Sequence, residues 1–428
     1  MKYKPADLST IIFYSAVCLE KINQKQSLEN IRQWLPDDVL NKKSNIIAYV
    51  KQSIRDYGIS SYILVKHLIN NKNHPKIEYI LRISISLLIN RDIKIHTLIN
   101  QAVNACKMHK HTYYASGLVN AVLRKINESI DEYKNLDLTF LPKWWQELLQ
   151  KNKEFNLEEY YKYIRNKSLM GLRVNAQKVD TDSYLDLLHT SNINAKAVNL
   201  YDKFSPYGIL LPQQIDVEKL PNFSDGYVSV QDIAAQICPQ ILPIKNGMKV
   251  LDACSAPGGK ILSCLEQYQL DITVMDINNI RLEKIKQNIK RLNIENQIIN
   301  YKEYVGDASQ LDWYDNQKFD IIITDVPCSA SGIVRKQPEI ALIRNYEDVI
   351  NLQQIQTKII QNLWHILKKS GILLYINCSV FVQEGLEQIK QFLSNNENAS
   401  LINVDNIGQF QVCNTNDGFF YAVLQKNS

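Results

Sequence analysis

Two cysteines at neighbouring strand ends are the residues of this sequence with the most chemistry in them. Asp325-Val326-Pro327-Cys328 closes one apolar run, and Asn377-Cys378-Ser379 closes the next, Ile372-Leu373-Leu374-Tyr375-Ile376. Two thiols so placed can face one pocket. A cysteine after Pro327, where amine-methylating enzymes tend to carry an aromatic, suggests covalent chemistry on a ring. Carbon 5 of cytosine is a poor nucleophile. A thiolate adding to carbon 6 makes it an enamine, which can take a methyl group from a sulfonium donor. Loss of the carbon 5 proton and expulsion of the thiolate restore the ring. A carboxylic acid near ring nitrogen 3 assists the addition, and Asp325 is placed for it. Such a cysteine needs thiolate character, hence nearby positive charge or a helix N-terminus. A single loop cysteine is as often a small apolar residue. The residues alone leave open whether Cys328 or Cys378 attacks.

The donor side is a second constellation. Val250-Leu251-Asp252-Ala253 runs into Cys254-Ser255-Ala256-Pro257-Gly258-Gly259-Lys260, and a helix-like segment follows to Tyr268. A strand, a small-residue turn and a helix N-terminus bring backbone N–H groups close to a ligand. The turn is neither the dinucleotide G-x-G-x-x-G nor a phosphate loop ending in Gly-Lys-Ser/Thr. Three acids lie at successive segment ends: Asp276, Asp307 in Val305-Gly306-Asp307-Ala308, and Asp325. An acid at the Asp276 distance accepts hydrogen bonds from ribose hydroxyls, and Asp307 can meet an exocyclic amine of adenine. Any one of them alone reads as a turn or helix cap. Arg335-Lys336-Gln337-Pro338 follows the Pro-Cys loop, where basic residues suit an RNA phosphate.

These residues need a scaffold that aligns strand ends. From Gly247 the chain alternates, with strands expected at Lys249–Ala253, Ile272–Asp276, Phe319–Asp325 and Gly371–Asn377, and helices at Ile280–Leu292, Val349–Leu367 and Glu384–Leu393. That pattern predicts a mostly parallel sheet covered on both faces. Gly418 to Leu424 reads as a closing strand. Residues 1 to about 135 read as all helix, with segments at Leu8–Ile22, Ile46–Ile69, Ile77–Leu88, Thr97–Ala105 and Tyr114–Ile126. Between them lies a small α+β region: a helix at Trp145–Lys151, a strand at Leu172–Asn175, a helix at Thr181–His189 and a strand near Ala195–Asn199. Val228-Ser229-Val230-Gln231-Asp232 then leads into a helix over Ile233–Leu242. The expected domains are 1–135, 136–225 and 226–428.

Composition narrows the class. Residues 1–140 carry 20 Lys/Arg against 12 Asp/Glu, and the rest carry 29 against 32. A basic first third on a near-neutral remainder fits a nucleic-acid-binding module joined to a catalytic one; a merely solvated basic surface fits equally. The eight cysteines form no C-x-x-C pair and no zinc-like spacing, so a metal centre and a disulfide framework are not expected, and a reducing cytoplasm is. No apolar run is long enough to cross a bilayer.

Taken together, these motifs resemble the bacterial ribosomal RNA small subunit methyltransferase B family, which makes 5-methylcytosine in 16S rRNA. Gly117-Leu118-Val119-Asn120-Ala121-Val122-Leu123-Arg124 resembles the end of that family's NusB-like RNA-binding domain. Leu172–Asn175 and Val228–Asp232 resemble the approach to its catalytic domain, Asp252–Lys260 its donor loop, Asp325–Gly332 its Pro-Cys motif and Asp417-Gly418-Phe419-Phe420 its closing strand. The resemblance implies an α/β, Rossmann-like class I methyltransferase domain, an N-terminal all-helical NusB-like domain and a small α+β linking domain. It implies S-adenosylmethionine as cofactor, held by Cys254, Ser255, Ala256, Pro257, Gly258, Gly259, Lys260, Asp276, Asp307 and Asp325. It implies Cys378 as nucleophile, Cys328 as the residue that aids product release, and Asp325 near the base. The implied partner is 16S rRNA, free or in a partly assembled small subunit, with the enzyme a monomer. tRNA as substrate, or a non-catalytic RNA-binding protein, are the alternatives. The sequence departs from the family pattern at Ser255, at Asn377, where Thr is usual, and at Val382-Gln383-Glu384-Gly385, where Pro-Glu-Glu-Asn is usual.

Overall fold

Val250, Leu251, Ile321 to Ile323 and Leu373 to Ile376 are all buried. Near-continuous apolar runs mark strands covered on both faces. The computed structural model describes residues 5–68, 75–90, 93–136, 138–199, 207–402 and 408–427. Its contacts divide the chain into two units: Met1–Gln146 with Gln337–Asn345, and Glu147–Lys336 with Tyr346–Ser428.

The second unit contains two sheets. The smaller is antiparallel, built from β1 (Met170–Val174), β2 (Lys196–Ala197), β3 (Gly208–Leu211) and β4 (Val228–Val230) in the order β2-β3-β1-β4. The Thr181–Thr190 helix covers it through Tyr184 and Leu188. The larger contains β5 (Lys249–Ala253), β6 (Leu270–Asp276), β7 (Ile298–Val305), β8 (Phe319–Asp325), β9 (Leu367–Asn377), β10 (Ala399–Ile402), β11 (Gln409–Phe410) and β12 (Phe419–Lys426). Its order is β10-β12-β9-β8-β5-β6-β7, with β11 beside β12. Strands β5 to β9 run parallel, and β12 joins β9 antiparallel. One face buries Ile261, Leu262, Leu282 and Ile285 from the Gly259–Leu265 and Asn279–Leu292 helices. The other buries Ile359, Leu363, Trp364 and Phe392 from the Tyr346–Ile366 and Leu386–Ser394 helices. This is the two-faced sheet that the alternation predicts.

The first unit is helical, with Pro5–Asn23, Lys43–Arg55, Tyr57–His67, Pro75–Asn90, Ile95–Lys107 and Ser116–Glu128 as its longer helices. The helix Ile340–Ile343, far away in sequence, clusters with it, and Lys25 Nζ donates to Leu342 O at 2.7 Å.

Several elements differ from expectation. The single segment Ile46–Ile69 is two helices that break at Asp56; Ile69 lies outside the described residues. Gly58 stands beside the break because a Cβ there would meet Thr139 O at 2.3 Å. Ile233–Leu242 is a 3-10 turn, Ala234–Gln236, and a short helix, Cys238–Ile241, because Pro239 lacks the N–H that a continuous helix needs. Strand β7, strand β3 and the helix Leu157–Ile164 were not read from the sequence. Among the described residues no helix is long and apolar enough to cross a membrane.

Candidate active site

The donor loop leaves β5 at Ala253 and enters the Gly259–Leu265 helix through Gly258, whose φ of +94° suits glycine. Cys254 also has positive φ, and the Ala256–Pro257 bond is cis. The loop is pinned from β6: Ser255 N donates to Met275 O at 2.9 Å, and Ala256 N to Asp276 Oδ2 at 3.1 Å. The small sheet pins its far end. Arg173, on β1, forks onto Glu266 at 2.9 and 2.7 Å and donates to Gly259 O at 2.9 Å. Gln231, just after β4, also bonds Arg173 and donates to Gly259 O at 3.3 Å. Two sequence motifs noted only as approaches to the catalytic region therefore hold the donor helix in place.

The two sulfurs meet. Cys328 Sγ and Cys378 Sγ lie 3.4 Å apart, with Cys328 buried and Cys378 half-buried. The Cys328 thiol is pushed well above its ordinary pKa, first by its hydrogen bond to Cys378 and then by burial. Asp325, at the end of β8, is ion-paired with Lys260 from the donor loop. Burial opposes charge on Lys260, but Asp325 outweighs it and the ammonium pKa is raised. Asp252 is buried, and burial pushes its carboxyl up to about 7.

The donor loop, Asp276, Asp325, Lys260, Cys328 and Cys378 thus come together where β5, β6, β8 and β9 end. Asp307 follows β7, half-buried, with Oδ1 accepting from Ser309 N at 2.8 Å. Arg335 is a correction: it is 3% exposed, paired with Asp417 at 2.6 Å and bonded to Cys413 O at 2.5 Å. A buried guanidinium already engaged is no phosphate contact. Sequence reading missed Glu266 and Gln356 as parts of this region, and named the buried Glu384 only within the stretch after Cys378 that departs from the family pattern. The 93-residue separation of Arg173 and Glu266 hides their pairing from any local pattern.

The residues present suit S-adenosylmethionine. Asp276 ends β6 and Asp307 follows β7, and both are carboxylates, the acceptors that hydroxyl and amine donors need. Asp252 Oδ1 and Thr324 Oγ1 are buried without a partner among the described residues. The loop's one cation, Lys260, is taken up by Asp325, which leaves no phosphate cradle.

An open parallel sheet with its ligand loops at the strand C-termini and an antiparallel closing strand defines a Rossmann-like class I methyltransferase. Family models match along the chain: the NusB family at residues 19–128, an RsmF/B-like ferredoxin-like domain at 141–218 and 16S rRNA methyltransferase RsmB/F at 239–425. The chain is 32% identical over 423 residues to the ribosomal RNA small subunit methyltransferase B of Photorhabdus laumondii, covering 95% of this chain and 96% of that protein. Against the protein of the same name from Vibrio vulnificus it is 36% identical over 324 residues, or 73% and 74% of the two chains. The crystal structure of PH0851 shares the fold over 100% of both chains, with a TM-score of 0.76 at 20% identity. The chain belongs to the ribosomal RNA small subunit methyltransferase B family.

Proposed function

We propose that this protein methylates carbon 5 of a cytosine in 16S rRNA, with S-adenosylmethionine as donor, through a covalent cysteine–pyrimidine adduct. The observation that carries the reading is the 3.4 Å approach of Cys378 Sγ to Cys328 Sγ beside the Asp325–Lys260 pair. An amine methyltransferase has no use for paired thiols. S-adenosylmethionine, when bound, supplies an electrophilic methyl group. Cys378 is the nucleophile: its sulfur bonds to carbon 6 and loads electron density onto carbon 5. Asp325, held by Lys260, faces ring nitrogen 3 and assists the addition. After methylation Cys328 aids release: a base takes the carbon 5 proton, the freed electron pair restores the carbon 5–carbon 6 double bond, and the carbon 6–sulfur bond breaks to return Cys378 as thiolate. Cys254 to Lys260, Asp276 and Asp307 hold the donor. Reaching the ring requires the base to leave its stack. Free thiols at all eight cysteines suit a reducing cytoplasm, and a monomer suffices because every group named lies on one chain.

The test is transfer of labelled methyl from S-adenosylmethionine to 16S rRNA, followed by bisulfite mapping. Conversion-resistant cytosine at one position is the expected result. Label in RNA without such a cytosine would overturn the cytosine-5 chemistry.

A further inference from the structure

Glu384 has no part in the chemistry above, yet its buried carboxylate touches both cysteine loops. Oε1 accepts from Ser329 N at 2.8 Å and from Gln356 Nε2 at 3.0 Å. Oε2 accepts from Ser379 Oγ at 2.6 Å and from Ser329 Oγ. Ser329 follows Cys328, and Ser379 follows Cys378. The backbone of Glu384 is held as well, its carbonyl accepting from Asn377 Nδ2 at 2.7 Å and Tyr375 Oη at 2.8 Å. Asn377, the residue that departs from the family's threonine, is thus a brace between the Cys378 strand and Glu384, and it also accepts from Ser379 N at 2.9 Å.

A buried carboxyl without donors gives up its charge, and one with several donors aimed at it keeps it. Burial raises the Glu384 pKa, and the hydrogen bonds from Ser329, Ser379 and Gln356 offset only part of the rise. Its partners are hydroxyls, an amide and a backbone N–H, so no positive charge among them cancels its field.

We propose that Glu384 is the positioning residue of the cysteine pair: its carboxylate ties the Cys328 loop to the Cys378 loop at sulfur contact, and its negative charge keeps a proton on Cys328. The role in catalysis rests on the proposed cytosine-5 reading; the role in placing the proton does not. The charged groups around the pair are Glu384 after β9, Asp325 on β8 and Lys260 from the donor loop, with Lys260 taken by Asp325. Both acids push the Cys328 thiol upward, after its hydrogen bond to Cys378, burial and the Cys378 charge. Cys328 then stands as an S–H donor toward Cys378, which leaves Cys378 as the sulfur free to attack. The residues in sequence left that choice open.

Glu384→Gln keeps the size and removes the charge. Two readouts apply: iodoacetamide alkylation of each cysteine across a pH series, resolved by mass spectrometry without RNA or donor, and kcat and KM for methyl transfer. The expected result is Cys328 alkylation at lower pH than in the wild type, with kcat down about 100-fold and KM for RNA unchanged. Ser329→Ala loosens the tie but leaves three donors, the backbone N–H of residue 329, Ser379 and Gln356, to hold the charge. It should lower kcat and leave the Cys328 profile where it was. A wild-type profile and kcat in Glu384→Gln, or the same profile shift in both variants, overturns the proposal. If Glu384→Gln does not fold, Ser329→Ala decides, and a wild-type kcat there overturns it. A shifted profile in a protein that methylates no RNA would sink the cytosine-5 reading and leave the placement of the proton standing.

Discussion

Cys328 and Cys378 approach to 3.4 Å from the ends of neighbouring parallel strands, β8 and β9. Neither loop reaches the other by chance. Gly332 N donates to Cys378 O at 2.9 Å, and Ser331 Oγ lies 2.9 Å from Ser379 Oγ. The Pro-Cys loop is thereby sewn along the nucleophile's own backbone. Tyr160, from the Leu157–Ile164 helix, adds a stitch by donating to Ser331 O at 2.9 Å. Two thiols fixed this way are expected to divide the reaction between them.

Cys378→Ala should abolish both methyl transfer and any covalent RNA adduct. Cys328→Ala should accumulate an adduct that survives denaturation. A denaturing gel with labelled donor reads both, and trapping by Cys378→Ala instead would reverse the two roles.

Asp325→Asn should lower kcat by about 100- to 10,000-fold, the range for removing a positioned acid–base group. Stability should fall as well, because Lys260 is only 13% exposed and loses the carboxylate that offsets its burial. Steady-state kinetics beside a thermal melt separate the two effects.

Arg173 and Glu266 are 3% and 4% exposed. Arg173→Ala leaves a buried carboxylate unpaired and is expected to cost about 3–5 kcal/mol. Donor affinity should fall with it, since Arg173 also holds Gly259 O. Urea unfolding reads the first quantity and calorimetric titration with S-adenosylmethionine the second. Arg173→Met combined with Glu266→Leu should recover most of the stability and little of the affinity.

Asp252 sets a pH dependence. Its carboxyl is raised by burial to about 7, against an ordinary value near 4. Between those values the folded chain holds a proton that the unfolded chain has released. The Asp252 contribution to stability therefore falls as pH rises from about 4 to about 7 and is level above that. Asp252→Asn removes the slope, so its stability relative to the wild type should climb across that window in denaturant titrations. A constant difference would show that Asp252 does not titrate there.

Gly332→Ala tests the backing of the nucleophile. A Cβ at Gly332 would meet Gly418 O at 2.1 Å. One of the two chains must move, and both lie behind Cys378. The variant should melt lower and lose kcat, whereas Gly117→Ala, which meets nothing within 4 Å, should match the wild type in both.

Much of this region was legible because strand ends and turn residues are local signals. Val250 to Lys260 announces a strand, a turn and a helix in eleven residues, and the structure follows it closely. The apolar run before Cys378 likewise marks β9. Strand β7 escaped because Ile298–Val305 alternates with Asn, Lys and Glu at an exposed edge, so no run of apolar residues marks it. The Arg173–Glu266 fork and the Glu384 clamp escaped for another reason. They join residues that meet only after the sheets form, and a buried glutamate looks in sequence like any solvated one. Arg335 misled in the same way: its partner Asp417 lies 82 residues on.

The closing strand has a consequence for timing. Phe419–Lys426 comes later in the chain than every other strand, yet it fills an interior lane between β9 and β10. A chain made from its N-terminus folds what has already emerged. Until this segment leaves the ribosome, β9 has a bare edge beside Asn377, and Gly332 lacks the Gly418 amide that bonds its carbonyl at 2.9 Å. The backing of Cys378 is therefore complete only once β12 has entered its lane.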